Sequence, residues 1–212
     1  MEKMMNGTHC KTRLPLRLTT PLILLLSLHS LSLKAGAIGT TNMIDFTQVS
    51  EHQNWTETND DVMGGISTGE LIYLDNMSRF RGELSLENNG GFSSVKRSIE
   101  SPAHEIDSAE LVFVGDGRTY QLRLTTSKDG HRVQYKHDFD TIKGEQFSKV
   151  FHFDDFQAVF RGRLLSDAPE LKAQYIKQIG FLIADKQPSP FELDLIQLHF
   201  KTSQPITSPE AN

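Results

Sequence analysis

Cysteine is nearly absent from this chain of 212 residues: there is one, Cys10. From residue 38 onward there is none, which excludes disulfides, a thiolate nucleophile and thiolate zinc sites from that part. Tryptophan occurs once, at Trp55, and tyrosine four times, which is meagre for a surface that stacks sugars. Basic residues are outnumbered, 22 Lys+Arg against 27 Asp+Glu. Such an acidic balance argues against nucleic acid as a partner, since phosphate needs basic surface, and against adsorption to anionic lipid. The histidines from residue 38 onward are His52, His104, His131, His137, His152 and His199, and none forms H-x-x-x-H or H-E-x-x-H. No nucleophile elbow is expected, and Ser93-Ser94 sits inside a strand pattern, where a hydroxyl serves packing or a cross-strand hydrogen bond.

Long apolar runs are scarce too. The exception, Leu18 to Leu33, is uncharged and leucine-rich. It follows the basic residues Lys3, Lys11, Arg13 and Arg17 and precedes the small-residue site Ala35-Gly36-Ala37. This order predicts a signal peptide over residues 1–37 and an exported, periplasmic or secreted product, with a mitochondrial destination as runner-up. The run is shorter than the ~18 residues of a spanning helix, so no membrane span is expected after cleavage, and a retained anchor is the alternative. Removing the five basic and one acidic residues of the leader leaves 17 Lys+Arg against 26 Asp+Glu, a net charge of −9 over 175 residues. That length suits one domain with one core.

The rest is mostly short alternating segments, the pattern of half-buried strands. Phe80, Gly82, Leu84 and Leu86 alternate with charged and polar residues, as do Tyr120, Leu122 and Leu124, and Val133, Tyr135, His137 and Phe139. Phe191, Leu193 and Leu195 share one parity and Ile196, Leu198 and Phe200 the other, which predicts a bulge near Leu195. Ten strands are expected, near 42–46, 68–75, 78–87, 91–99, 109–115, 119–126, 131–139, 147–154, 177–184 and 190–200, with one short helix from Pro169 to Lys177. Asn88-Asn89-Gly90-Gly91, Gly115-Asp116-Gly117 and Asp129-Gly130 are expected as hairpin links. The fold class is therefore all-β, a sandwich spanning 38–201, followed by a disordered tail over 202–212 rich in Ser, Thr and Pro.

Chemistry-bearing candidates are few. In Asn59-Asp60-Asp61-Val62-Met63-Gly64-Gly65-Ile66-Ser67, the glycines permit positive φ, expected at Gly65, and the polar residues can hold a tight loop. Asp60 and Asp61 either bind calcium or close the loop; their spacing is unlike a calcium-ligand ladder. Asp154-Asp155 is a second acidic pair, explained as well by solvated strand-end charges as by a metal. His137, on the apolar parity, reads as a core histidine with a hydrogen-bond partner. Gly115-Asp116-Gly117-Arg118 lacks the lysine and length of a P-loop and reads as a turn. Arg123 faces out beside Gln121 if Leu122 and Leu124 face in. An outward arginine on a concave sheet can clamp a carboxylate, a sugar or a partner backbone, or simply form a surface ion pair. Trp55 is either a stacking platform or a plug at one end of the sandwich. Asn54-Trp55-Thr56 and Asn76-Met77-Ser78 match the glycosylation acceptor pattern.

Trp55 to Ser67, Phe92 to Arg97, Gly115 to Tyr120, Phe160 to Arg163, and Ile179 to Lys186 with Pro190-Phe191 together resemble the complex I intermediate-associated protein 30 family, over roughly residues 43–200. The resemblance implies a galactose-binding-like, jelly-roll β-sandwich. It further implies a non-enzymatic, assembly-factor-like or chaperone-like protein with a protein partner, an assembly intermediate or membrane complex, and no cofactor or metal. Combined with the leader, it points to action outside the cytoplasm. The binding residues it suggests are Trp55, Asn59, Asp60, Asp61, Met63, Gly64 and Gly65, with Arg97, Arg118 and Arg123 pointing outward. A carbohydrate-binding module on the same sandwich is the alternative, and a hydrolase using Asp60 or Asp154 the second alternative.

Overall fold

The computed structural model describes residues 42–203. The expected leader over 1–37 lies outside the described residues, as does the expected tail from 204 onward; Thr202 and Ser203 are hydrogen-bonded to Glu105 and Asp107. Two antiparallel sheets make up the domain. In the six-stranded sheet the order is β3 (Thr68–Leu74), β4 (Met77–Glu83), β13 (Pro190–Lys201), β6 (Ser108–Val114) and β9 (Gln146–His152), with β1 (Met43–Asp45) also paired to β13. In the seven-stranded sheet it is β11 (Arg163–Leu164), β10 (Gln157–Phe160), β8 (His131–Asp140), β7 (Thr119–Lys128), β12 (Ile176–Ile183), β5 (Ser93–Ser98) and β2 (Thr56–Asn59).

Alternation places one face of each strand in the core between the sheets. Tyr120, Leu122 and Leu124 of β7 and Phe181 and Ile183 of β12 are fully buried, and they meet Phe80, Leu111 and Leu193 of the other sheet in one apolar cluster. The bulge anticipated near Leu195 is present: the pairing of β13 with β6 shifts between Leu195 and Gln197. That one extra residue lets Leu195 and Leu198 both face inward.

Some expectations are corrected. A 3-10 turn, Ala173–Tyr175, stands in place of the short helix, because Lys172 is extended and Ile176 already pairs with Thr126. Asp129-Gly130 is a hairpin turn with both residues at positive φ. The other two glycine turns are not hairpins: residues 88–91 carry the chain from β4 in one sheet to β5 in the other, and 115–117 carry it from β6 to β7. Strands β2, β10 and β11 were not among the ten expected.

Candidate functional site

Two buried side chains clip the crossovers between the sheets. Asp60, 0% exposed, sits in the β2–β3 crossover. Its carboxylate accepts from the Ser67 hydroxyl at 2.5 Å, the Ser67 N–H at 2.9 Å, and the N–H groups of Gly91 at 2.6 Å and Phe92 at 3.3 Å, the last two in the β4–β5 crossover. Burial alone would raise its pKa, but these donors outweigh burial and hold the carboxyl below the ordinary carboxylate range. Positive φ falls at Gly64 and not at Gly65. Gly65 is needed for a different reason: a β-carbon there would overlap the Asp60 carboxylate, and the same is true at Gly90. Asn59 works alongside, accepting from the Ser93 hydroxyl at 2.7 Å and donating to the Gly69 carbonyl at 3.3 Å. Asp61 accepts from the Val62 N–H, and Val62, Met63 and Ile66 are exposed around it.

The sequence does hold one G-x-S-x-G spacing, Gly65-Ile66-Ser67-Thr68-Gly69, but it does not form a nucleophile elbow. Ser67 is 3% exposed and opens directly into β3, with no helix after it. Its hydroxyl is engaged by Asp60, by the Ser85 carbonyl and by the Ser85 N–H. It is a structural serine rather than the exposed nucleophile of that motif.

Arg118 is the second clip, and it corrects an expectation. It points inward, 7% exposed, because all five of its donors are taken. Nε and Nη2 hold Asp185 at 2.9 and 2.6 Å, Nη1 meets the carbonyls of Ser189 and Pro190, and Nη2 also reaches that of Gln187. The pair joins the β6–β7 crossover to the β12–β13 crossover. Burial would raise the Asp185 pKa, and Arg118 with the Gln187 N–H brings it below the usual range.

Trp55 is a plug, 6% exposed, with its ring 5.5 Å from Phe46 and 5.6 Å from Phe181. Its Nε1 donates to Glu51 at 2.9 Å, and Arg97 pairs with the same carboxylate. Arg97 thus has the inward parity of Val95 and steadies the tryptophan, in place of the outward role expected of it. His137 lies edge-on to Phe151 and Phe156 and its Nδ1 donates to the Asp138 carbonyl at 2.7 Å. Among the described residues no three His, Cys, Asp or Glu side chains converge. A cleft of about 760 Å³ is lined by Tyr135, Phe153, Phe156, Leu164, Leu171 and others, with only Asp154 and Glu170 charged.

Of the three expected arginines, Arg123 alone both faces outward and, among the described residues, lacks a carboxylate in contact. The outward faces of the two sheets differ sharply. On the six-stranded sheet Arg79, Arg81 and Lys201 each hold a carboxylate. Arg79 holds Asp194 at 2.5 Å, with Glu192 at 3.4 Å and Asp75 at 3.6 Å; Arg81 holds Glu70, and Lys201 holds Glu110. On the seven-stranded sheet one register row reads Gln157, Lys136, Arg123, Gly180 and Lys96 across β10, β8, β7, β12 and β5. The row on one side carries Asp138, Gln121, Leu182 and Ser94, and that on the other carries Gln134, Thr125 and Gln178. Lys136 is paired with Asp138 at 2.6 Å. Arg123 makes one side-chain bond, from Nε to Gln121 at 2.9 Å. Burial draws its guanidinium below the ordinary value, which the Asp138 charge only partly restores; arginine stays charged even so. Gly180 supplies no side chain between Arg123 and Lys96, and a β-carbon there would press on the Val95 carbonyl and the Lys96 stem.

This two-sheet frame with crossovers clipped at their ends is a galactose-binding-like β-sandwich. The chain belongs to the complex I intermediate-associated protein 30 family, whose sequence model matches residues 44–195. No curated protein matches it. Among solved structures it is similar to the family 11 carbohydrate-binding module of a cellulosomal cellulase of Clostridium thermocellum. That likeness has 10% identity and a TM-score of 0.53, over 71% of this chain and 90% of that one. A family 11 module from the same organism, in complex with a beta-1,3-1,4-mixed-linked tetrasaccharide, gives 13% identity and a TM-score of 0.54 over 76% of this chain and 96% of that one. At such identities the likeness is one of fold.

Proposed function

We propose that the protein is a non-catalytic, assembly-factor-like binding domain that acts outside the cytoplasm and grips a protein partner on the outward face of its seven-stranded sheet. The observation that carries this reading is the contrast between the two faces. One is closed by its own ion pairs; the other sets Arg123 beside Lys136 with no carboxylate among the described residues in contact with Arg123. Cations directly opposed across strands cost stability; Asp138 offsets part of that cost, and recognition of a partner gives a reason for the rest. Family membership supports the same reading. For the carbohydrate alternative only the fold speaks. No aromatic residue stands at the outward positions of β5, β7, β8 or β12, and Trp55 is occupied in the core.

Site-specific photo-crosslinking tests this. A photoreactive residue at Gln121 is expected to capture a protein from membranes of the source organism, and one at Gln197, on the other sheet, is not. Capture from Gln197 alone, or retardation of the protein in gels containing soluble polysaccharide, would overturn the proposal.

A further inference from the structure

We infer that the row Lys136–Arg123–Gly180–Lys96 receives an extended acidic segment of a partner polypeptide, its carboxylates seated on the cations and its backbone on the flanking glutamines. This rests on the binding role given above to that face. The charge balance supports it first: the outward positions of β5, β7, β8 and β12 carry Lys96, Arg123, Arg132 and Lys136 against Asp138 and Asp140. Asp138 is engaged by Lys136, and Asp140 accepts from the Thr119 hydroxyl. Among the described residues Arg123 and Lys96 remain without a carboxylate in contact, in a chain where acids are in excess.

The neighbours of these cations point to polypeptide. Gln121, Gln134, Gln157 and Gln178 each offer a donor and an acceptor, the pair that a peptide backbone requires. Of their amides, Gln121 accepts from Arg123, and Gln178 accepts from Arg132 at the long distance of 3.4 Å. Spacing agrees as well. Lys136 to Lys96 crosses three strand intervals, roughly 14 Å, with Arg123 about 5 Å along. Carboxylates at i, i+2 and i+4 of an extended chain fall at about 0, 7 and 14 Å on one face, within reach of these long side chains.

The test uses the full chain and a capped peptide of alternating Glu and Thr, with its Gln-for-Glu counterpart and tetragalacturonate as comparisons, followed by titration calorimetry. The Glu peptide is expected to bind, more weakly as salt rises, and the Gln peptide is not. Arg123→Gln should weaken binding by about tenfold or more and Lys96→Gln measurably, with Trp55 emission unchanged to show that the fold is kept. Equal binding of the Gln peptide, unchanged affinity in Arg123→Gln, or Arg123-dependent binding of tetragalacturonate in place of the peptide would each overturn the inference. If crosslinking from Gln121 still captures a protein, the binding role of the face survives that failure; if neither probe responds, both fall.

Discussion

Lys136 and Arg123 are cross-strand partners on β8 and β7, two cations side by side on the outward face of one sheet. Replacing one with a neutral side chain of similar length relieves repulsion and breaks no ion pair of Arg123. Arg123→Gln is therefore expected to melt at or above the wild-type temperature, its stability within about 0.5 kcal/mol of the parent or higher. A clear loss in denaturant titration would show that Arg123 serves the fold.

Asp60 carries the opposite expectation. Its removal leaves the N–H groups of Ser67, Gly91 and Phe92 without their acceptor, and leaves the Ser67 hydroxyl with Ser85 alone. Asp60→Ala should cost at least about 3 kcal/mol in urea unfolding. The glycines around it separate two effects. Gly64 is left-handed with open space beside it, so Gly64→Ala should cost about 1 kcal/mol. Gly65→Ala should cost more, because its methyl group displaces the carboxylate.

Asp60 and Asp185 both have carboxyl groups held below the ordinary value near 3.8. A depressed acid contributes stability that is present in full above its unfolded pKa and is lost as pH falls through the folded one. Stability should thus be flat near neutrality and decline below about pH 4. Asp60→Asn should flatten that acid limb in urea titrations taken at successive pH values; an unchanged limb would refute the assignment.

Trp55, the only tryptophan, is packed between Phe46 and Phe181. Its emission should be blue-shifted, resistant to iodide quenching, and red-shifted on unfolding. Neutral oligosaccharides should leave it unchanged. A saccharide-induced shift would restore the stacking role that its burial removes.

The sequence showed Arg123 and hid Arg118, for a physical reason. Outward placement of Arg123 follows from period-two alternation with Leu122 and Leu124, a local rule. Arg118 follows a Gly-Asp-Gly turn that looks solvated, and its partners Asp185, Gln187, Ser189 and Pro190 lie about seventy residues away. Nothing in one segment announces such a contact. Strands with apolar alternation were legible to within a few residues, and so was the bulge at Leu195. Strand β2, Thr-Glu-Thr-Asn, has no apolar residue to mark it, and β10 and β11 are short pieces at a sheet margin. Asn-Gly and Gly-Asp turns were legible as turns but not as sheet-to-sheet passages, because the same backbone chemistry serves both.

The two clips also settle how this domain is tied together without sulfur. Where many cysteine-bearing sandwiches lock distant segments covalently, Asp60 and the Arg118–Asp185 pair do so here through protons and charge. Such ties are indifferent to thiols and oxidants, and the protonation that loosens their carboxylates is chemically reversible.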